Sequence, residues 1–193
     1  LIAAGTFTAR QCAFESNAAS HMGGAVAVGL FGAEAATVEA GAAVEAFAEI
    51  SDCTFHNNSA TDGGAIAVGA RGELRVRGGE LKANRATASG GAVYGALGGS
   101  IAEIAAVTLV DNVARSGGAL AALGARPRVE ECTFSRNRAG ESGGAMQLGG
   151  RASLVLRENH FDANVAEAFG SAINYDPAQI VEVVPTVANA SFF

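Results

Sequence analysis

The chain has no tryptophan and, among its 193 residues, only two tyrosines, three prolines and three cysteines. Charged residues make up 17%, too few for the composition that keeps a chain unfolded. Acidic residues (19) outnumber lysine and arginine (13), for a net charge of −6 and a pI near 5.0. With neither a basic stripe nor an aromatic platform, the sequence excludes nucleic acid as a partner. No apolar run approaches the length of a membrane span, so none is expected here. The sequence does not begin with Met and shows no signal-peptide pattern. The odd number of cysteines says little about redox compartment.

Glycine (26 residues) and hydrophobic residues (49%) are abundant, and they are arranged as a repeat. Residues 53–68 read CTFHNNSATDGGAIAV: a Phe, an Asn three residues on, a short polar stretch, then Gly-Gly-Ala and an apolar run. The first half recurs at Asn17, Asn58, Asn84, Asn112, Asn137 and Asn164 as FESN, FHNN, LKAN, LVDN, FSRN and FDAN. The second half follows each time at Gly23, Gly63, Gly90, Gly117, Gly143 and Gly170, as GGAV, GGAI, GGAV, GGAL, GGAM and GSAI. From Asn58 onward the intervals are 26, 28, 25 and 27 residues, whereas Asn17 to Asn58 spans 41. A period in this range marks a solenoid. The spacing suits coils of three short strands and three turns, with an insertion at about residues 30–44.

The paired FxxN and GGA[I/L/V] signatures resemble the polymorphic outer-membrane protein repeat of chlamydial surface proteins. That repeat lies within the right-handed parallel β-helix class, which also contains pectate-lyase-like proteins. The resemblance covers nearly the whole chain. It implies a secreted or surface-displayed region used in adhesion or structural display, with no defined catalytic activity.

The repeat therefore predicts an all-β, right-handed, three-sided parallel β-helix of six or seven coils of 25–28 residues, forming a single domain over residues 1–193. The residues at the two ends read as interrupted repeats, Leu1–Gly5 as the tail of an apolar strand and Ser191, Phe192 and Phe193 as the start of a unit without its Asn. Uncapped coils expose unpaired backbone. The expectation is thus a segment of a longer chain, or ends covered by other chains.

Alternation assigns the faces. Val26, Ile66, Leu120, Met146 and Ile173 point inward on the Gly-Gly-Ala strand; Leu74 and Val76, or Leu154 and Leu156, do so on a second strand, and Phe14, Phe55 and Phe134 on a third. Arg75, Arg77, Arg128 and Arg157 alternate with apolar residues and belong to a solvated face. The same alternation places Ala25, Ala65, Ala92, Ala119, Ala145 and Ala172 outward, beside Tyr94 and Gln147, as a flat candidate interaction face.

The six asparagines are expected to form an internal ladder: Asn tolerates left-handed backbone angles at a tight turn, and its amide bonds the Asn above and below. The glycines suit sharp turns or close approach of coils, and their spacing fits neither a phosphate loop nor a dinucleotide fingerprint. Cys12, Cys53 and Cys132 share a register two residues before a Phe. They are expected to point inward as reduced, apolar thiols, although Cys12 and Cys53 lie on successive coils and a bridge between them stays open.

Catalytic and metal sites are not expected, and neither is a cofactor. His21, His56 and His160 stand in different registers without partners at metal-ligand spacing. Ser20, Ser59, Ser89, Ser116 and Ser142 suit the turn before Gly-Gly. The nearest approach to a paired-acid site is Asp111 and Asp162 with Arg136, which are separated by an intervening coil and one register position. Sequons at Asn57 and Asn189 offer N-glycosylation in a secretory setting. The expectation is a non-enzymatic structural or adhesive segment, secreted or on a cell surface, with protein partners or neighbouring copies. The alternative is a polysaccharide lyase or hydrolase, or a carbohydrate-binding module, on the same scaffold.

Overall fold

A computed structural model describes residues 1–32, 45–125, 127–150, 154–176, 186–188 and 191–192. Among these the chain contains no helix and forms a solenoid of short parallel strands. No helix long and apolar enough to cross a membrane is present among the described residues.

One coil shows the plan. Strands run over Ala46–Ser51, Thr54–His56, Ser59–Asp62 and Ile66–Val68, here called sides one to four. Each pairs in parallel with its counterpart one coil away, so the sides stack into sheets of seven, seven, five and six strands. Register is kept closely: Phe14 pairs with Phe55, Phe55 with Leu81, Leu109 with Phe134 and Phe134 with Phe161.

Two sequence expectations are corrected. Five coils carry all four strands, with partial coils flanking them, rather than six or seven. Each of these five coils also has four strands, not three. The unexpected strand is side three, at Ser59–Asp62, Arg85–Ser89, Val113–Ser116 and Arg138–Ser142. It reads as a polar turn because it carries only one inward apolar residue, Ala60, Ala86, Ala114 or Ala139, each buried. So small a residue gives no visible alternation.

The core runs down the axis as columns. Val26, Ile66, Val93, Leu120 and Met146 come from side four, Ile50, Val76, Ile104, Val129 and Leu156 from side one, and Phe55, Leu81, Leu109, Phe134 and Phe161 from side two. Phe14 stacks on Phe55 at 4.6 Å and Phe134 on Phe161 at 4.9 Å, nearly parallel in both cases. Burying an aliphatic or aromatic side chain contributes about 1.5–3 kcal/mol. A single coil has no other surface to bury it against, so stability belongs to the stack.

Of the four corners in a full coil, three carry a repeated turn signal. Between sides one and two, and again between sides two and three, one residue takes left-handed angles, as Asp52 (φ 52) and Asn57 (φ 55) do. The third corner is the Gly-Gly pair. Gly63 has φ +63, and a Cβ there would lie 2.2 Å from the Ile66 carbonyl oxygen. A Cβ on Gly91, a second glycine, would lie 2.0 Å from the carbonyl oxygen of Gly118 in the next coil. The first glycine makes the turn and the second lets the coils approach.

The alanines after Gly-Gly do not face outward. Ala65, Ala92, Ala119 and Ala145 are 0% exposed and belong to the core, with Ala25 and Ala172 packed against it. At this corner two successive amides, of Ala65 and Ile66, donate to one carbonyl, that of Ala92. Strand alternation therefore begins one residue later, and both side chains turn inward. The corner is tight enough that Ala fills it. The column is a packing element, and the reading of it as an external interaction face fails.

Candidate functional site

The six ladder asparagines are brought into line by the repeat. Backbone N–H and Nδ2 of Asn17 both donate to Asn58 Oδ1, at 3.0 and 2.9 Å. The pattern continues from Asn58 to Asn84, Asn84 to Asn112, Asn112 to Asn137 and Asn137 to Asn164 at 2.9–3.0 Å. The second Nδ2 hydrogen of Asn58, Asn84, Asn112, Asn137 and Asn164 goes to a carbonyl of side two in the preceding coil, Phe14, Phe55, Leu81, Leu109 and Phe134 in turn. Asn58, Asn84, Asn112 and Asn137 are completely buried, and each uses both amide hydrogens and both acceptor positions. A buried amide is tolerated on that condition.

One detail differs from expectation. The left-handed residue is the one before each ladder Asn: Ser16, Asn57, Ala83, Asp111, Arg136 and Ala163, with φ of 50–56°. These side chains are of several kinds because they point out of the turn. The following Asn then aims inward with ordinary angles. Asn57, the sequon position, is exposed at such a corner, while Asn189 lies outside the described residues, as do 33–44 of the insertion.

The corner between sides one and two repeats this backbone with a mixed column: Cys12, Cys53, Gly79, Val107, Cys132 and Asn159 follow the left-handed residues Gln11, Asp52, Gly78, Ala106, Glu131 and Glu158. Asn159 is a ladder residue the FxxN pattern did not identify. Its Oδ1 accepts the Cys132 N–H at 2.9 Å and its Nδ2 donates to the Val129 carbonyl at 2.9 Å. Aligning it with Cys132 in the repeat is the signal that would have found it. Cys53 and Cys132 are buried; Cys12 shares the register and turn of Cys53 but is exposed in the first coil. Burial pushes the Cys132 thiol up to about 11.

Outer side chains are largely engaged with one another. Arg136 makes a two-pronged pair with Asp111 at 2.8 and 3.0 Å, which holds its guanidinium above its usual pKa. Asp162 accepts from the Ser135 hydroxyl at 3.4 Å. The acids stay two coils apart with the arginine neutralising one of them. Arg77 bonds Glu103 at 2.5 Å, Arg128 bonds Glu130 at 2.8 Å, and Arg157 approaches Glu130 at 3.6 Å. His56 pairs with Glu80 at 3.1 Å and His21 with the Ser20 hydroxyl at 2.8 Å. Among the described residues no three His, Cys, Asp or Glu side chains gather where they could hold a metal ion.

The described residues also form a concave feature. Ser89, Ser116 and Ser142 occupy one register at the end of side three, in line with Asp62; Ser59 stands in another. They face the outer row of side four, where Tyr94 pairs with Ala121 and Gln147 with Asn174. Between the two rows runs a groove of about 490 Å³, lined by the three serines with Gln147, Phe169 and Asn174 among others. Asn174 Nδ2 donates to Gln147 Oε1 at 2.9 Å. Gln147, 8% exposed, lines this recess, and Tyr94 on the same row is half-buried, so the two do not form a flat exposed face. Further along, Asp62 Oδ1 accepts the Ser89 N–H at 2.9 Å. Burial raises the Asp62 pKa, and burial together with the Asp62 charge raises that of Tyr94.

No curated protein and no solved structure matches the chain. A family model described as a right-handed β-helix region matches residues 3–184, which include all six ladder asparagines and all six Gly-Gly corner positions. The chain belongs to the right-handed β-helix family.

Proposed function

We propose that this chain is a non-enzymatic structural or adhesive segment of an extracellular or cell-surface assembly, secreted or displayed, acting through contacts with other proteins or neighbouring copies. The observation that carries this reading is the engagement of its polar groups. The buried asparagines are satisfied within the ladder, and the Asp111–Arg136 pair is closed on itself. A catalytic acid or base needs reach to a substrate proton, and these groups are already bonded to each other. The resemblance of FxxN and GGA[I/L/V] to the chlamydial surface repeat supports the same conclusion.

The second reading, a carbohydrate-binding or carbohydrate-active module, is favoured by the groove. Its row of hydroxyls and amides beside Phe169 offers the mixture of polar and apolar groups that binding sites present. The deciding experiment has two arms. Acidic polysaccharides are incubated with the chain, with and without Ca²⁺, and new reducing ends and unsaturated products are measured. In parallel, the chain is displayed on a bacterial surface and clumping is compared with a display control. Clumping without turnover is expected. Turnover would replace the structural reading with the enzymatic one.

A further inference from the structure

We infer that Cys12 and Cys53 are a redox-controlled cross-link that staples the first coil to the second. The two residues occupy one register, because the positions flanking them pair directly, Arg10 with Ser51 and Ala13 with Thr54. Both follow a left-handed residue with φ 52, so their Cβ atoms leave the backbone in the same direction. Stacked strands lie about 4.8 Å apart, inside the Cα separation of roughly 4.4–6.8 Å that a disulfide spans. The two residues already touch: the Cys12 N–H donates to Cys53 Sγ at 3.3 Å.

In the reduced form each thiol donates to the carbonyl two residues back, Cys12 to Arg10 and Cys53 to Ser51, both at 3.2 Å. Forming the bond removes both thiol hydrogens and with them both of these weak interactions. Cys12 is exposed and Cys53 is buried, which sets the order of events. The Cys12 thiolate attacks one sulfur of a small disulfide such as oxidised glutathione, and the first glutathione thiolate leaves. The Cys53 thiolate then attacks the Cys12 sulfur, forming the protein disulfide and releasing the second glutathione. Two electrons pass from the protein to the small disulfide, and the two thiol protons end on the released thiols. Excess dithiol reverses the sequence.

Cys132 is the internal control. Its register neighbours are Val107 and Asn159, so no thiol lies one coil away in either direction. The cross-link closes a loop between residues 41 positions apart, which includes Asn17, the first Gly-Gly corner and residues 33–44. A backbone break anywhere in that loop would leave the first coil covalently attached.

The test equilibrates the intact chain in dithiothreitol or in oxidised glutathione, unfolds and alkylates it, and cleaves after glutamate without reduction. Cleavage at Glu15, Glu49 and Glu73 separates the two cysteines. The expected result in oxidised glutathione is a disulfide-linked pair of fragments carrying Cys12 and Cys53, with Cys132 alkylated. In dithiothreitol all three are alkylated. The urea midpoint of the oxidised chain should rise above that of the reduced chain, a shift that Cys132→Ser keeps and Cys12→Ser removes. Alkylation of both Cys12 and Cys53 in oxidised glutathione would overturn the proposal. So would glutathione retained on Cys12 with Cys53 alkylated, or a link between two chains.

Discussion

Two corners of each coil share one backbone and differ in what fills it. At both, a left-handed residue is followed by an inward side chain. Between sides two and three that side chain is always Asn, whereas between sides one and two it is Cys, Gly, Val or, once, Asn. The turn itself therefore does not need asparagine. What Asn adds is bonding between coils: its Oδ1 takes two donors from the coil before it and its Nδ2 returns one to a carbonyl there. Sulfur does part of this work at the other corner, where Cys53 Sγ accepts the Cys12 N–H. Where Asn159 appears there, it bonds like a ladder residue.

The comparison can be broken most severely at the uniform corner. Asn112→Leu removes the acceptor for the Asn84 N–H and Nδ2 and the donor to Leu81. Two or three buried groups left unsatisfied at about 1–3 kcal/mol each predict a loss of roughly 3–6 kcal/mol, read from urea unfolding.

At the mixed corner, pH should expose Cys132. Its thiol is raised from 9.0 to about 11 by burial, so between these values the unfolded chain has lost a proton that the folded chain keeps. The contribution is fully present below pH 9 and disappears as pH rises through about 11, a decrease of about 2–3 kcal/mol. The unfolding free energy read from urea should fall by that much more between pH 8 and pH 11 in wild type than in Cys132→Asn. Equal pH dependence in the two chains would refute it.

Asn159→Leu is expected to cost less than Asn112→Leu, roughly 1–3 kcal/mol, because it orphans one amide, that of Cys132. Were the two losses equal, bonding between coils would not be what distinguishes the corners. The gentlest change sharpens the comparison. Cys132→Asn places a second amide beside Asn159 on a backbone already shaped for it, and should keep the fold with stability within about 1 kcal/mol of wild type or above it. Collapse of this variant in thermal unfolding would mean that the corners are not interchangeable.

The ladder and the Gly-Gly corner were legible in the sequence because each places one residue type at one step of every coil. Asn58, Asn84, Asn112, Asn137 and Asn164 bond only to equivalents one coil away and to the strand before them, so sequence period maps directly onto contact. Side three was illegible for the opposite reason: in RATAS and RAGES a single alanine is buried, and one small residue makes no pattern. Ala65 and its equivalents were assigned to the wrong face because alternation was carried through a corner where two amides share one carbonyl. The serine groove was not visible either, since its walls come from strands on either side of that corner.

By itself the sequence determined the family, the parallel stacking, the ladder positions and the places where only glycine fits, since all of these follow from a repeat whose neighbours in space are its neighbours in period. Tertiary structure alone decided which way each side chain faces past a corner, which residue carries the left-handed turn, and that Cys12 and Cys53 touch. Those depend on how far the backbone rotates within a turn, and a rotation of a few tens of degrees exchanges core for surface without changing the period.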